Sequence, residues 1–236
     1  MIPSLRRMLG DARRALHRAR HPAPAGATGR IEPVSRVFGL DRGEPIDRYY
    51  IERFLARHAG LIRGDVLEVG DDRYTRRFGV DGPGESRVLR TTPDDDPATL
   101  AGDLTDPETL PEAAFDCFVC TQTFNFIFDL PAAAESSHRL LRPGGVMLAT
   151  VAGISQISRY DQERWGDYWR FTPRSLEALL APVFGGGVEI RAHGNVLAAT
   201  ALLQGLAVED LPESTLLNED DPDYPVTITA VARRMR

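Results

Sequence analysis

The chain has 236 residues, 42% of them hydrophobic and 26% charged, with a formal net charge of −6. That is the balance of an ordinary globular protein with room for a full core, and a net negative chain argues against nucleic acid as the main partner. No apolar run reaches the length of a bilayer span, and the N-terminus lacks the apolar stretch and small-residue cleavage site of a secretory signal, so the expectation is a cytoplasmic protein with no stable membrane insertion.

Residues 3–20 place Leu5, Met8, Leu9, Ala12, Ala15, Leu16 and Ala19 at helical spacing, with Arg6, Arg7, Arg13, Arg14 and Arg18 filling much of the other face. A basic amphipathic helix can lie on an anionic membrane surface. This one has an Ala and Leu face without Trp or Phe, which suits packing on the body or on a second subunit, so a homodimer is among the expected assemblies. Residues 21–26 break the helix and read as a linker. This sets an N-terminal segment at 1–26 and one α/β domain at 27–236.

A second helix begins near Glu44-Pro45, with Pro in the first turn, and runs through Ile46, Tyr49, Tyr50, Phe54 and Leu55 to about Ala59. Strands are expected at 65–69, 87–92, 99–102, 115–120, 145–151 and 187–192, with helices after Asp71 and at 130–140 and 173–183. A last strand lies within 224–231. The alternation of strand and helix predicts a mainly parallel sheet with helices on both faces. Strands 115–120 and 145–151 are almost wholly apolar and so central. Two inserts interrupt this order, at about 153–172 and about 195–223. The second holds an apolar helix over 196–206 and an acidic loop at 218–223, read as solvated rather than metal-binding. Cys117 and Cys120 spell C-x-x-C, but residues three apart in a strand face opposite ways, so they are read as buried core thiols.

Three motifs carry the functional reading. They are Val66-Leu67-Glu68-Val69-Gly70-Asp71-Asp72, then Phe115-Asp116-Cys117-Phe118-Val119-Cys120, then Leu141-Arg142-Pro143-Gly144-Gly145-Val146-Met147-Leu148. In this order and at these separations they resemble class I S-adenosylmethionine-dependent methyltransferases. The resemblance implies a Rossmann-like, mainly parallel seven-stranded sheet with the last strand antiparallel, S-adenosylmethionine as cofactor, and no metal. It assigns Glu68 to support of the first loop or of the methionine amine, and Gly70 to close approach of the methionine part. The family's further glycines are replaced here in Gly70-Asp71-Asp72-Arg73-Tyr74, and the Asp71 carboxylate is a partner for the cofactor's ammonium. Asp94 is read as the ribose acid, with a solvated acidic turn as the alternative. Asp103 matches the acid that accepts the adenine amino group, with Leu104 offering its N–H, and a cap for a helix at Pro107 is the alternative. Thr121 and Gln122 line the floor beneath the methionine, and Tyr49 is a candidate for the cofactor wall.

The acceptor side centres on 158–172, which holds both tryptophans. Aromatics interleaved with Asp and Arg suit a polar ring such as a sugar, stacked on Trp or Tyr and hydrogen-bonded by carboxylates. Tyr160, Trp165 and Tyr168, with Tyr50, are the candidate substrate contacts, and Trp169 and Phe171 are read as anchors of the helix that Thr172-Pro173 begins. A hydroxyl acceptor gains from a base. The candidates are His193, whose residue type titrates near neutrality, then Asp161 and Asp167. Together with residues 43–54, this block is similar to a bacterial methyltransferase subgroup associated with glycan and secondary-metabolite biosynthesis. That resemblance implies O-methylation of a sugar or glycosylated small molecule. The rivals are a cyclisation or rearrangement on the same fold, or a silent scaffold subunit.

Overall fold

The computed structural model describes residues 5–21, 31–80, 84–93 and 95–236. The linker reading from residue 22 onward and the ribose reading of Asp94 lie outside these residues. The chain divides into two compact units. The first gathers Met1–Tyr50, Ile154–Gln156 and His193–Val226, and the second gathers Ile51–Gly153, Ile157–Ala192 and Thr227–Arg236.

The strands are β1 (Val66–Val69), β2 (Ser86–Arg90), β3 (Thr99–Ala101), β4 (Phe115–Thr121), β5 (Leu141–Ala152), β6 (Val188–His193) and β7 (Thr227–Arg233). The helices are α1 (Leu5–Arg20), α2 (Ile46–Arg57), α3 (Arg73–Phe78), α4 (Leu130–Leu140), α5 (Arg159–Gln162), α6 (Pro173–Phe184) and α7 (Val196–Leu203). One seven-stranded sheet runs β3-β2-β1-β4-β5-β7-β6. The pairs β1·β2, β1·β4, β2·β3 and β4·β5 are parallel, and β7 lies antiparallel to β5. This is the Rossmann-like sheet expected from the alternation of elements.

Strand alternation divides the second unit's core into two layers. Leu67, Phe118, Cys120, Met147, Ala149, Ile228, Ala230 and Ala232 pack with Ala133, Leu140, Leu176, Leu180 and Phe184 of α4 and α6. Their strand neighbours Val66, Cys117, Val119, Val146, Leu148 and Val231 pack with Ile51, Phe54 and Leu55 of α2 and Tyr74 of α3. Each fully buried Leu or Phe stabilises the fold by about 1.5–3 kcal/mol, so the sheet needs both layers. Cys117 and Cys120 fall in opposite layers as free buried thiols. Burial pushes both up to about 12, which leaves them protonated and inert at neutral pH.

The amino end of the sheet is clamped by charge. Arg142 donates from one nitrogen to Asp116 at 2.6 Å and from another to Asp65 at 2.7 Å, while the Asp65 N–H donates to Asp116 at 2.9 Å. Here the β4·β5 register jumps from Phe115↔Leu141 to Cys117↔Val146. The Pro-Gly-Gly segment supplies the bulge, with Gly144 at φ 88°. Strand β5 therefore begins earlier than the apolar run that announced it.

Other boundaries moved for local reasons. Pro45 does not open α2. It forms an isolated bridge with Ala207, and the helix starts at Ile46. Strand β7 begins at Thr227 rather than 224, because Pro225 has no N–H for a ladder and Val226 N–H donates to His193 O at 2.8 Å. The short helix α5 has no counterpart among the expected elements. Its cap, Ser158, accepts from Asp161 N–H. The Thr172-Pro173 cap is present as a reciprocal pair, Thr172 Oγ1 accepting from Ser175 N–H at 3.1 Å and Ser175 Oγ from Thr172 N–H at 2.9 Å.

The first unit has its own apolar centre of Ile46, Tyr50, Ala198, Ala201, Leu202, Leu217 and Val226. Helix α1 is tied to the same chain at its C-terminal turn. Arg18 donates to the Arg42 carbonyl, His17 lies 3.1 Å from Asp41, and Arg42 donates to the His21 carbonyl at 2.8 Å. Among the described residues no helix is long and apolar enough to cross a membrane.

Candidate functional site

Ligands of open α/β sheets sit beyond the carboxyl ends of the strands, near the switch in strand order. In this sheet β1 has β2 on one side and β4 on the other, so the switch lies between β1 and β4. Gly70 ends β1 with φ 84°, a conformation that favours glycine, and its N–H donates to Leu89 O at 3.1 Å. No atom lies within 4 Å of where a Cβ would stand. The glycine is required by the backbone, and the space beside it is open to a ligand.

Glu68 lies beneath this turn, only 2% exposed. Its carboxylate accepts from Tyr74 N–H at 3.1 Å, Thr75 N–H at 2.7 Å and Thr75 Oγ1 at 2.8 Å. These are first-turn amides of α3, so the acid holds the loop by capping the helix that follows it. Burial drives its pKa up to about 7 against the three hydrogen bonds, and the charge of Asp71 adds to the rise. Asp71 is exposed, and its Oδ1 accepts from Arg73 N–H at 3.0 Å.

Asp103 follows β3. Its Oδ1 accepts from both the N–H and the Oγ1 of Thr105 at 2.8 Å, and its own N–H donates to Thr109 Oγ1 at 2.9 Å. The cap of the Pro107–Thr109 turn is Asp106, which accepts from Glu108 N–H. The alternative reading of Asp103 as that cap is thereby removed. Its carboxylate is exposed, while the side chain of Leu104 enters the core.

At the end of β4, Thr121 leads into Gln122, a non-glycine residue at φ 52°. The Gln122 N–H donates to Thr150 O at 2.7 Å and Thr150 Oγ1 at 3.2 Å, which holds the bend. Its side-chain Nε2 is buried without a hydrogen-bond partner among the described residues. A residue in the left-handed region with a buried, unpartnered donor at this end of the sheet is a candidate to meet an acceptor group.

The 158–172 segment is internally tied. Asp167 makes a bidentate pair with Arg170 at 2.5 and 2.9 Å and accepts from Ser158 N–H at 2.9 Å. Burial would raise its pKa, but these partners outweigh it and hold the carboxyl below the usual carboxylate range. Asp161 accepts from Ser158 Oγ at 2.5 Å. Tyr160 and Trp165 meet edge to face at 6.2 Å, with the Arg164 guanidinium 3.5 Å over the Tyr160 ring. Tyr168 instead joins Phe128 and Trp169.

The remaining candidates belong to the first unit. His193 Nδ1 lies 3.2 Å from Asp220 Oδ2, and Asp220 Oδ1 accepts from Gly194 N–H at 2.9 Å. The Tyr50 ring stacks on the imidazole at 6.0 Å, and its buried hydroxyl has no partner among the described residues. Burial, then the Asp220 charge, pushes the Tyr50 phenol up. The Tyr49 hydroxyl donates to Asn218 Oδ1 at 2.8 Å. Sequence reasoning missed Asp220, which carried no local signal beyond an acidic loop 27 residues from His193. It also missed Asn125, a buried hub between β5 and the 168–169 segment.

Residues 59–149 match a protein-family model described as a methyltransferase domain. The match spans β1 through most of β5 and contains Gly70, Asp103 and Gln122. No curated protein sequence matches the chain. Solved structures resembling this fold include the S-adenosylmethionine-dependent methyltransferase of Mesorhizobium loti, at 16% identity and TM-score 0.52, covering 80% of this chain and 98% of that one. Another is the S-adenosylmethionine-dependent methyltransferase of Archaeoglobus fulgidus, at 13% identity and TM-score 0.51, covering 79% and 94%. The cyclase SpnF is similar at 16% identity and TM-score 0.53, covering 96% and 95%. At these identities the likeness is one of fold.

S-adenosylmethionine is the cofactor that the family match and the fold support. The residues at the carboxyl ends of β1, β3 and β4 fit it. Gly70 leaves room for the methionine part, Asp71 suits an ammonium, Asp103 suits an amino donor, and the orphaned Gln122 amide suits an acceptor oxygen. Among the described residues no cluster of His, Cys, Asp or Glu is arranged to hold a metal.

Proposed function

We propose that the chain is an S-adenosylmethionine-dependent methyltransferase acting on a hydroxyl of a sugar or glycosylated small molecule. The observation that carries this reading is the open glycine turn at Gly70 with a strained Gln122 just after the neighbouring strand β4. Bound S-adenosylmethionine supplies a methyl group on a sulfonium, ready for in-line displacement. The protein's part is then to hold the acceptor oxygen in line and exclude water, which is worth several kcal/mol or more, about 7–11 in the best-oriented cases. In this reading Glu68 fixes the loop through α3, Asp103 and Gln122 orient the cofactor, and the 158–172 aromatics hold the acceptor.

Of the three base candidates, His193 is paired with Asp220 within the first unit. Asp167 is committed to Arg170, and Asp161 to Ser158. Calorimetric titration with S-adenosylmethionine and S-adenosylhomocysteine tests the cofactor, and transfer of labelled methyl to a panel of sugars and glycosides tests the acceptor class. Micromolar cofactor binding with label on a glycoside is the expected result. A folded protein that binds neither cofactor form sinks the proposal.

The likeness in fold to the cyclase SpnF, over 96% of this chain, favours a second reading, a cyclisation or rearrangement on the same fold. Cofactor binding without label transfer to any acceptor, together with turnover of an unsaturated substrate, would select it.

A further inference from the structure

Phe128, Tyr168 and Trp169 form an aromatic array on the second unit, with exposures of 70%, 49% and 36%. The Phe128 ring meets Tyr168 edge to face at 5.4 Å and stacks on Trp169 at 6.0 Å. Its support is rigid. The Asn125 carbonyl accepts from Tyr168 N–H at 2.9 Å and Trp169 N–H at 3.2 Å. The buried Asn125 amide donates to Trp169 O at 3.1 Å and accepts from Ala152 N–H at 3.2 Å. The indole N–H donates to Ile127 O at 2.9 Å. The array is thus fastened to the chain leaving β4 and to the last residue of β5.

We propose that this array is an acceptor subsite that stacks a flat apolar ring, the aromatic aglycone of a glycosylated acceptor. The inference rests on the reading of the chain as methylating such a molecule. Three observations lead to it. The array stands at the carboxyl ends of β4 and β5, the side of an open α/β sheet where ligands sit. Its polar groups are spent inward, since the indole N–H and both ends of the Asn125 amide are taken, which leaves the Tyr168 hydroxyl as its outward polar handle. A sugar needs several hydrogen-bonding partners when desolvated, whereas an aromatic ring needs only a face and an edge. The backbone under the rings is pinned at five hydrogen bonds, so little ordering remains to be done on binding.

The test uses the full, unaltered chain, with binding read by calorimetry. Phenyl β-glucoside is expected to bind saturably, and methyl β-glucoside to bind at least about tenfold more weakly. Phe128→Ala is expected to weaken phenyl β-glucoside by about fivefold or more, the size of one aromatic contact, with calorimetric affinity for S-adenosylmethionine unchanged. Equal affinity for the two glucosides, or none lost in Phe128→Ala, overturns the proposal. So does a self-association, seen by sedimentation, that Phe128→Ala abolishes, because a second copy then covers the rings. Phenyl β-glucoside binding in a protein that takes no S-adenosylmethionine upholds the subsite while refuting the methyltransferase reading.

Discussion

The guanidinium of Arg42, fully buried, makes two parallel hydrogen bonds to Asp210, 168 residues further along the chain, at 2.7 and 2.8 Å. Asp210 also accepts from Ala207 N–H at 2.9 Å. A buried pair of this kind costs desolvation on both sides, and breaking it leaves one charge without a partner. Arg42→Ala is therefore expected to destabilise the first unit by about 3–5 kcal/mol. The double change Arg42→Met with Asp210→Leu should cost less than either single removal. Denaturant melts of the three variants decide this, and additive losses would contradict it. Burial raises the Asp210 pKa, but Arg42, the Ala207 N–H and the charges of Arg42 and Arg18 outweigh it, so the net shift is downward. A depressed acid stabilises above its unfolded pKa and loses that contribution as pH falls through the folded one, so the pair's contribution to stability should fade in strong acid.

Glu68 works in the opposite sense. Its folded pKa of about 7 lies above the ordinary 4.5, so the native state holds the extra proton between those values. Stability should fall as pH rises across that window, by on the order of 3 kcal/mol, and level off above it. Glu68→Gln removes the titration and should flatten the slope. Unfolding free energies at pH 5 and pH 8 for both proteins provide the check.

Gly70→Ala should cost about 1–2 kcal/mol from the left-handed backbone alone, since no neighbour stands where the methyl would go. A loss of cofactor affinity well beyond the loss of stability is the expected signature of close ligand approach. Thermal melts paired with calorimetry separate the two effects.

Asp103→Asn keeps an oxygen for Thr105 and replaces the other with a donor. The fold should be unaffected, while affinity for S-adenosylmethionine drops by about tenfold or more through a donor facing a donor. Unchanged affinity would remove Asp103 from the adenine contact.

Two features of the sheet were plain in the residues. Runs such as Phe118–Cys120 and Val146–Ala149 are apolar throughout because both of their faces are covered, and the alternation of elements fixed their parallel order. Glu68, Gly70 and Gln122 stand out as candidates because motifs place them towards strand ends. The pairings around the candidate residues were not legible. Asp220 meets His193, and Asn125 meets Trp169, only after distant segments are brought together. Tyr50 was read as a contact for the acceptor, yet it lies in the first unit's apolar centre, where a ring with 3.6-residue spacing serves packing equally well. Trp169, read as an anchor, does anchor through its indole N–H, and its exposed face is a separate property that spacing does not encode.

The clamp of Arg142 on Asp65 and Asp116 sits at the end of the sheet away from Gly70 and Gln122. Strand register is thus locked at one rim, while the loops that meet ligands leave the other. Loop grafting at the carboxyl rim should therefore change acceptor choice without letting the strands slip, and the same grafts in an Arg142→Ala background should not be tolerated.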